Sequence, residues 1–443
     1  MKHENGVIIV GGGWAGMAAA LELDRHHIPV TVLESAARLG GRARSVMRNG
    51  HCLDNGQHLL IGAYHETLRL LQLMEIQEAD VLRREPLHLH VLGGEQPLEL
   101  AAPSLPAPLH LAWGLLTAKG IGYRDKLQAL RMSLALSMSG FSLAKDISVA
   151  DLLQRHHQGS TLIRRFWEPL CIATLNTPIE LASGRVFLRV LKDSFSEHRR
   201  DADLLIPRVP LGSLFPEAAE RHLCHKPGNQ VRLKERVITL DITTGKVNGV
   251  STRQQTLHSS DVILAVSPTA ASRLLSPYTE LRPLADAITQ LGSQPIITVY
   301  LQYPTTLRLP RTMIGMSGTV SQWLFDRRVC GRPGLIAVVV SADGAHTAWD
   351  NERLIGQIRS ELQNQFPHWP AAEEVMVIRE KRATFECRVG IEEKRPGNDS
   401  AVKGLWLAGD YTDTGYPATL EGAVRSGVQC ARRIIEQRHS SSK

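Results

Sequence analysis

The sequence lacks both the long apolar runs of a membrane-spanning protein and the closely spaced cysteines of a disulfide-rich or metal-binding one. No segment of the 443 residues reaches the ~18 uninterrupted apolar residues that a membrane-spanning helix needs. The cysteines include no Cys-x-x-Cys pair and lie far apart, at Cys52, Cys171, Cys224, Cys330, Cys387 and Cys430. We therefore expect reduced thiols and no metal site. The N-terminal residues show no signal-peptide pattern, which predicts a cytoplasmic protein.

Aromatic residues are also scarce, at 5% of the chain, and no basic run is interleaved with them. This pattern argues against nucleic acid as a partner. Lys and Arg number 51 against 44 Asp and Glu, a net charge of +7. Such a modest, scattered excess is typical of a solvated surface, and it also suits attraction to an anionic membrane surface. The chain is long enough for two or three lobes.

The N-terminal segment has the pattern of a dinucleotide-binding β-α-β unit. Residues 7–10 predict a buried strand, residues 14–25 a helix and residues 30–33 a second strand. The turn before the helix reads Gly-x-Gly-x-x-Gly, and the residues assigned to the nucleotide site there are Gly11, Gly13, Trp14, Ala15 and Gly16. The third glycine, Gly16, is expected to let helix and strand pack closely. The helix N-terminus offers unpaired N–H groups to phosphates. Glu34, which ends the second strand, is expected to accept hydrogen bonds from the ribose.

A second glycine-rich turn follows immediately, in the sequence Glu-Ser-Ala-Ala-Arg-Leu-Gly-Gly-Arg at residues 34–42. It resembles the E-x-x-x-R-x-G-G-R stretch of the flavin amine oxidase and phytoene desaturase superfamily. The resemblance implies that the nucleotide is FAD. It adds four residues to the expected cofactor site, namely Arg38, Gly40, Gly41 and Arg42.

The same resemblance implies the fold class. We expect an α/β protein in which a Rossmann-like FAD-binding domain is discontinuous and an α+β substrate domain is inserted into it. We predict that residues 1–85, 205–270 and 400–443 form the FAD-binding domain. Residues 86–204 and 271–399 are predicted to form the substrate-binding domain.

The C-terminal part of the chain carries the second half of the predicted cofactor site. A buried strand is predicted over residues 405–408, and a helix over residues 417–437. By resemblance, Asp410 contacts the ribityl chain or the pyrophosphate, and the helix start directs N–H groups at the flavin. The residues expected to bind FAD here are Gly409, Asp410, Pro417, Ala418, Thr419 and Leu420. Val237, in a hairpin predicted over residues 231–250, is expected to contact adenine.

One segment narrows the family. Residues 54–64, Asp-Asn-Gly-Gln-His-Leu-Leu-Ile-Gly-Ala-Tyr, resemble the signature of the squalene-associated FAD-dependent desaturases, now understood as hydroxysqualene dehydroxylases. The resemblance implies reduction of hydroxysqualene to squalene, with hydride passing from reduced flavin N5 to an allylic cation. It adds Gly56, Gln57 and His58 to the cofactor site. His58 is the candidate proton donor, and packing against the cofactor is its alternative role.

Such a reaction implies a hydrophobic isoprenoid substrate and a dry apolar tunnel. The apolar segment 109–141, with basic residues interspersed, predicts peripheral association with the inner face of the cell membrane. An ordinary core helix is the equal alternative for that segment. The reductant for the flavin, a separate reductase or NAD(P)H, stays open.

Three other functions remain open at this point. A carotenoid or phytoene-type polyene desaturase would share the fold, the cofactor and the tunnel, but would move hydride in the opposite direction. A flavin amine oxidase needs an aromatic pair around the amine, and only Tyr411 and Tyr416 lie near the C-terminal glycines. A covalent flavin link through Cys387 is a further possibility. A non-catalytic FAD-binding module is the alternative from a different class.

Overall fold

The structure is a computed structural model that describes residues 6–195 and 197–441. Its strands are β1 (Val7–Val10), β2 (Val30–Leu33), β3 (Ser45–Arg48), β4 (His51–Asp54), β5 (Leu60–Ile61), β6 (Leu82–Glu85), β7 (His88–Leu92), β8 (Leu98–Ala101), β9 (Leu204–Pro207), β10 (Gln230–Arg232), β11 (Val237–Thr243), β12 (Lys246–Thr252), β13 (Thr256–His258), β14 (Val262–Leu264), β15 (Gln294–Gln302), β16 (Met313–Met316), β17 (Trp323–Asp326), β18 (Leu335–Ser341), β19 (Glu374–Thr384) and β20 (Leu405–Leu407). Its helices are α1 (Trp14–Arg25), α2 (His65–Leu73), α3 (Glu78–Val81), α4 (Leu109–Thr117), α5 (Tyr123–Met138), α6 (Val149–Arg155), α7 (Ser160–Leu162), α8 (Glu168–Leu175), α9 (Gly184–Phe195), α10 (Leu211–Leu214), α11 (Pro216–Cys224), α12 (Pro268–Leu275), α13 (Arg282–Thr289), α14 (Asn351–Gln365) and α15 (Leu420–Ser441).

The first lobe is built on a parallel sheet of five strands in the order β10-β2-β1-β14-β20. Its central strands are short apolar runs because α1, α11 and α15 pack in the same core as the sheet. The elements β1, α1 and β2 have the bounds that the sequence predicts. All five strands fall inside the three segments predicted for the FAD-binding domain. The predicted Rossmann-like α/β fold is therefore confirmed.

The second lobe is built on a mixed sheet of seven strands in the order β19-β15-β18-β17-β16-β7-β8. Successive side chains of a strand point to opposite faces of its sheet. In β15, Ile297, Val299 and Leu301 pack with α14 in one core. Ile296 and Tyr300, at alternate positions of the same strand, belong to the other core, which faces the first lobe. One face of this sheet is thus covered by a helix, while the other is free to form the wall of a cavity.

The apolar segment 109–141 forms two helices, α4 and α5. Helix α4 lies against β8, since a Cβ placed on Gly114 would be only 2.9 Å from the carbonyl oxygen of Ala101. Among the residues that the structure describes, no helix is both long and apolar enough to cross a membrane.

Two predicted elements have different bounds in the structure. The C-terminal helix begins at Leu420 and not at Pro417, because Thr419 Oγ1 accepts the N–H of Gly422 and caps the helix there. The hairpin predicted over residues 231–250 is divided. Its first strand, β10, pairs with β2 in the parallel sheet, and the hairpin itself consists of β11 and β12. The turn lies at residues 244–245 as predicted, with positive φ at both positions.

Candidate active site

A cavity of about 820 Å³ is lined by residues from both lobes and from both ends of the chain. The predicted cofactor residues that line it are Gly11, Gly13, Trp14, Ala15, Glu34, Gly40, Gly41, Arg42, Gly56, Gln57, His58, Val237, Gly409, Asp410, Pro417, Ala418, Thr419 and Leu420. Two predicted residues, Gly16 and Arg38, do not line it. Segments that are hundreds of residues apart in sequence therefore meet around one space.

The two exceptions have different explanations. A Cβ on Gly16 would overlap the carbonyl oxygen of Gly11, so this glycine allows close packing of α1 on β1, the task expected of the third glycine. The Arg38 side chain is exposed on the turn after β2. Its neighbour Leu39 occupies the buried position instead, against Gly12. The structure thus does not bring Arg38 to the cofactor site.

The phosphate-binding end of the cavity is formed by the start of α1. Gly13 is the N-cap, and no side chain caps the helix, so the N–H groups of its first turn are left for a ligand. A Cβ on Gly41 would lie 3.4 Å from Cα of Gly13, so two glycine backbones face each other across this part of the cavity. Trp14 fixes the turn, since its indole N–H donates to the Ala43 carbonyl at 3.2 Å. This glycine-lined, N–H-rich end fits the pyrophosphate of FAD.

Glu34 has a structural task that the sequence did not reveal. Its carboxylate accepts the backbone N–H of Gly12 at 2.8 Å and that of Ala36 at 2.7 Å, and so ties the two glycine-rich turns together. An ionised carboxylate has about four acceptor positions. The Ser35 hydroxyl also donates to this carboxylate, at 3.2 Å. Glu34 lines the cavity, so the acceptor position that is left can face a ligand, and its binding of the ribose stays a prediction.

An ion pair joins the two chain ends inside the cavity. The Arg42 guanidinium contacts the Asp410 carboxylate, and it also donates to the Ala383 carbonyl at 2.7 Å. Burial lowers the pKa of Arg42, but the negative charge and hydrogen bond of Asp410 outweigh burial, so that the pKa is raised overall. The arginine therefore stays charged and holds the N-terminal and C-terminal halves of the cofactor site together.

His58 is held by its own loop. Its Nδ1 lies 2.9 Å from the Gly56 carbonyl oxygen, which can only accept, so Nδ1 carries a proton. Burial lowers the pKa of His58, which makes the neutral ring the main form at pH 7. Nε2 is then the unprotonated nitrogen and is a hydrogen-bond acceptor. The role of His58 as a proton donor stays a prediction.

A buried network that sequence analysis missed lies behind this loop. Arg327 donates to Asp54 Oδ2 at 2.8 Å and to the side-chain oxygen of Gln57. Tyr300 donates its hydroxyl proton to the Asp54 backbone carbonyl at 3.0 Å. The network fixes the loop of residues 54–58 to the wall of the second lobe. Arg327 follows β17, 270 residues away from Gln57, and no local pattern marks it.

The second lobe contributes an apolar chamber to the cavity. Helices α8 and α9, the seven-stranded sheet and the residue just before β7 line this part of the cavity. The lining residues are mainly apolar: Leu87, Leu89, Leu170, Ala173, Val190, Phe195, Ile296, Met313, Trp323, Phe325 and Val339. Such a surface favours a hydrocarbon ligand and leaves few hydrogen-bonding partners for water. These residues could not be predicted, because the cavity exists only where sheet and helices from distant segments face one another.

Tyr411 and Tyr416 do not form an aromatic pair around a substrate amine, and Cys387 is not placed to bond a flavin. Tyr411 is fully buried outside the cavity. Tyr416 lines the cavity, but its hydroxyl donates to Asp193 and the Arg425 guanidinium lies 4.0 Å from its ring centroid. The thiol of Cys387 is buried outside the cavity, and burial raises its pKa to about 12, which leaves no thiolate for attack on a flavin.

Glu421, in the first turn of α15, has a structural position. It is fully buried and accepts the backbone N–H groups of Glu66 and Thr67, each at 3.0 Å, while Arg425 donates to it at 2.8 Å. Glu421 therefore caps the start of α2 and holds that helix against α15.

The cysteines and possible metal ligands lie as follows. All six cysteines are free thiols, as expected. Within the described parts of the chain, one group brings three possible metal ligands within 4.8 Å of one another, Glu197, His198 and Asp201. It lies outside the cavity, and Asp201 already accepts the backbone N–H of His198 at 3.1 Å.

Comparison with known proteins places this geometry among flavoenzymes. The chain is 26% identical to hydroxysqualene dehydroxylase of Zymomonas mobilis, over 96% of this chain and 97% of the relative. It is 27% identical to the enzyme of the same name from Rhodopseudomonas palustris, over 97% and 98% of the two chains. It is also 24% identical to zeta-carotene desaturase of Arabidopsis thaliana, over 97% and 85%. The predicted resemblance to the hydroxysqualene dehydroxylases is thus confirmed.

Solved structures and a family model agree with this placement. The fold matches an oxidoreductase from Methanosarcina mazei with a TM-score of 0.76 at 16% identity, over 97% of this chain and 99% of the other. Residues 14–435 match the model of the flavin-containing amine oxidoreductases. The glycine-lined cradle at the start of α1 and the meeting of both chain ends around one cavity are what an FAD site requires. The chain belongs to the flavin-containing amine oxidoreductase family and is an FAD-dependent oxidoreductase.

Proposed function

We propose that the protein removes the hydroxyl group of hydroxysqualene reductively and releases squalene. One observation supports this most: one cavity joins the glycine-lined cradle to an apolar chamber, and the loop of residues 54–58 lies at that cavity. The relatives named hydroxysqualene dehydroxylase match nearly the whole chain and supply the substrate class. The overall change replaces a C–O bond by a C–H bond, consumes a hydride and a proton, and forms water.

When bound, reduced FAD supplies the hydride. The protein's own residues hold it and shape the space beside it. Gly13 and Gly41 receive the pyrophosphate, Glu34 the ribose, and the segment of residues 417–420 the flavin end. The chamber walls exclude bulk water, so that an electron-deficient carbon left by loss of the hydroxyl is not captured by solvent.

The proton for the departing hydroxyl is assigned to His58. Its Nδ1–H is already committed to the Gly56 carbonyl, so the transferable proton resides on Nε2 after the ring has been protonated. The network of Arg327, Asp54 and Gln57 holds the loop rigidly, which keeps the ring orientation fixed. Because burial lowers the pKa of His58, its imidazolium form is a stronger acid than free histidine.

A product assay separates this function from polyene desaturation, for which the match to zeta-carotene desaturase is the specific reason. The purified holoenzyme is reduced under anaerobic conditions and given hydroxysqualene, and the oxidised holoenzyme is given phytoene. The proposal predicts squalene in the first mixture and unchanged phytoene in the second. Desaturated polyene, with the alcohol left unchanged, would overturn it.

A further inference from the structure

The exposed large apolar side chains of this protein are concentrated on one pair of helices. Seven of them lie on α4 and α5, and we call them the outer face: Leu109, Trp113, Leu116, Tyr123, Leu127, Leu134 and Met138. The other exposed large apolar residues in the described ranges are scattered singly, at Met47, Leu181, Ile238 and Val389. Exposed apolar side chains gathered on two helices that pack on each other mark an interaction site.

The outer face follows helical spacing. In α4 its three residues are four and three positions apart, and in α5 its members recur at spacings of four, seven and four. The opposite side of α5 is buried through Ala129, Met132 and Leu136. The core therefore accounts for one side of each helix only. Met138 and Leu134 remain 81% and 64% exposed, and nothing in the fold requires them to be apolar.

Positive charge surrounds the outer face. Between residues 109 and 141 the basic residues are Lys119, Arg124, Lys126 and Arg131, and the one acidic residue is Asp125. A neighbouring cavity of about 610 Å³ adds arginines to the same region, Arg83, Arg308, Arg311 and Arg328, alongside the acidic Glu85 and Asp326. This cavity adjoins α4, since Ala101 and Ala102 line it and also lie against Gly114.

Apolar side chains next to basic residues fit one kind of partner. Acyl chains complement the apolar side chains, and anionic phosphate groups complement the basic residues beside them. A second copy of this chain would place like charges opposite one another around the outer face, which disfavours self-association there. An anionic lipid bilayer satisfies both features at once.

The outer face is also close to the active-site cavity. Helix α4 packs on β8, and β8 pairs with β7. Leu89 of β7 and the preceding Leu87 line the active-site cavity, and Leu87 lines the arginine-rich cavity as well. Helix α4 therefore lies beside the strand pair that borders the chamber assigned to the substrate.

We propose that the outer face of α4 and α5 docks the protein on the surface of an anionic bilayer. The apolar side chains insert among the acyl chains, while Arg124 and Arg131 contact the headgroup phosphates. The docking itself follows from the surface alone. The delivery of a membrane-dissolved isoprenoid into the chamber rests on the proposed function.

Vesicle co-sedimentation of the holoenzyme tests the docking. We expect binding to vesicles of phosphatidylcholine mixed with phosphatidylglycerol, and much weaker binding to phosphatidylcholine alone. The double variant Trp113→Gln/Leu134→Gln should bind the anionic vesicles at least about tenfold more weakly. The control Met47→Gln/Ile238→Gln removes two exposed apolar side chains elsewhere and should bind like the wild type. The visible flavin spectrum reports that each variant is folded.

Two results would overturn the docking proposal. The first is wild-type protein that stays in the supernatant with anionic vesicles. The second is equal binding by the outer-face variant and the control. A wild-type dimer that Trp113→Gln/Leu134→Gln converts to a monomer, without vesicle binding, would identify a second copy as the partner and would also overturn it.

Activity assays keep this proposal distinct from the proposed function. With hydroxysqualene dispersed in detergent, the outer-face variant should match the wild type. With hydroxysqualene embedded in anionic vesicles, it should be slower by about the same factor as its loss of binding. Vesicle binding without squalene formation in either assay would refute the proposed function and leave the docking intact.

Discussion

The ion pair between Arg42 and Asp410 joins the N-terminal and C-terminal parts of the chain inside the cofactor site. In Asp410→Asn the Arg42 charge would remain in a largely buried site without its partner. We expect weaker FAD retention and a loss of about 2 kcal/mol of stability, because an uncompensated buried charge is costly. Thermal unfolding and the dissociation constant for FAD measure the two effects.

The control for that variant is Asp399→Asn. Asp399 contacts Arg433, and both side chains are about half exposed, so that solvent screens the pair. Its loss should leave FAD retention and thermal unfolding unchanged. Equal effects of the two substitutions would show that the Arg42 pair has no special part in the cofactor site.

His58 gives the second residue-scale prediction, a pH dependence. Burial lowers the pKa of this histidine below its ordinary value of 6.5, so the imidazolium form is populated only in acid. The single-turnover rate should therefore rise as the pH falls from about 8 to about 5, and should level off below the lowered pKa. In His58→Gln that rise should vanish, and the rate near pH 6 should fall by about a hundredfold. An unchanged pH profile in the variant would reduce His58 to a cofactor contact.

Single site residues could be predicted from the sequence where they belong to a short motif next to a strand. The glycines of both turns, Glu34 and Asp410 were predictable because each has a fixed place next to a strand. Arg327 was not, because its partners lie about 270 positions away and its own neighbourhood carries no motif. The added task of Glu34 in joining two turns was also hidden, since hydrogen bonds to backbone N–H groups leave no mark in the side-chain pattern.

At the scale of elements, the packing of α1 against α15 positions the cofactor site. Gly427 is the closest point: a Cβ there would overlap the carbonyl oxygen of Ala15. We expect Gly427→Ala to push the helices apart, to cost about 1–3 kcal/mol of stability, and to weaken FAD binding at the start of α1. Differential scanning calorimetry and FAD titration would measure these changes.

A glycine in another helix supplies the control. Gly356 lies on the exposed side of α14, and a Cβ there would meet no atom within 4 Å. Gly356→Ala should therefore stabilise the protein by about 0.5–1 kcal/mol, since alanine is the better helix former. If Gly427→Ala were equally harmless, the close packing of α1 and α15 would not be needed for FAD binding.

Elements whose partners are near in sequence were predicted well. The β1-α1-β2 unit has its predicted bounds because its strands, glycine turn and helix are all encoded within residues 7–33. Strand β10 was assigned to the wrong partner, since its real neighbour β2 lies some 200 residues upstream and the hairpin pattern next to it was stronger. The start of α15 was misplaced because Thr419, and not Pro417, ends the preceding loop as a cap.

At the scale of the whole molecule, the resemblance predicted two lobes and a discontinuous FAD-binding domain. The two main sheets draw their strands from the segments assigned to each lobe, while the domain boundaries themselves stay a prediction. An apolar tunnel was expected, but the residues that line the chamber could not be foreseen, because its wall is one face of a sheet assembled from segments between residues 88 and 384. The nearly continuous apolar run of β15 indicates two buried faces, yet it does not reveal which face meets a helix and which meets a ligand.

The central claim is that one cavity, formed by both chain ends and the apolar chamber, reduces an isoprenoid alcohol with FAD. Anaerobic mixing of the photoreduced holoenzyme with hydroxysqualene tests it most directly, with flavin absorbance and extracted product followed together. The account predicts that oxidised flavin returns in step with squalene, one molecule for one. Flavin that stays reduced in the presence of the alcohol, or that reoxidises without any squalene, would contradict it.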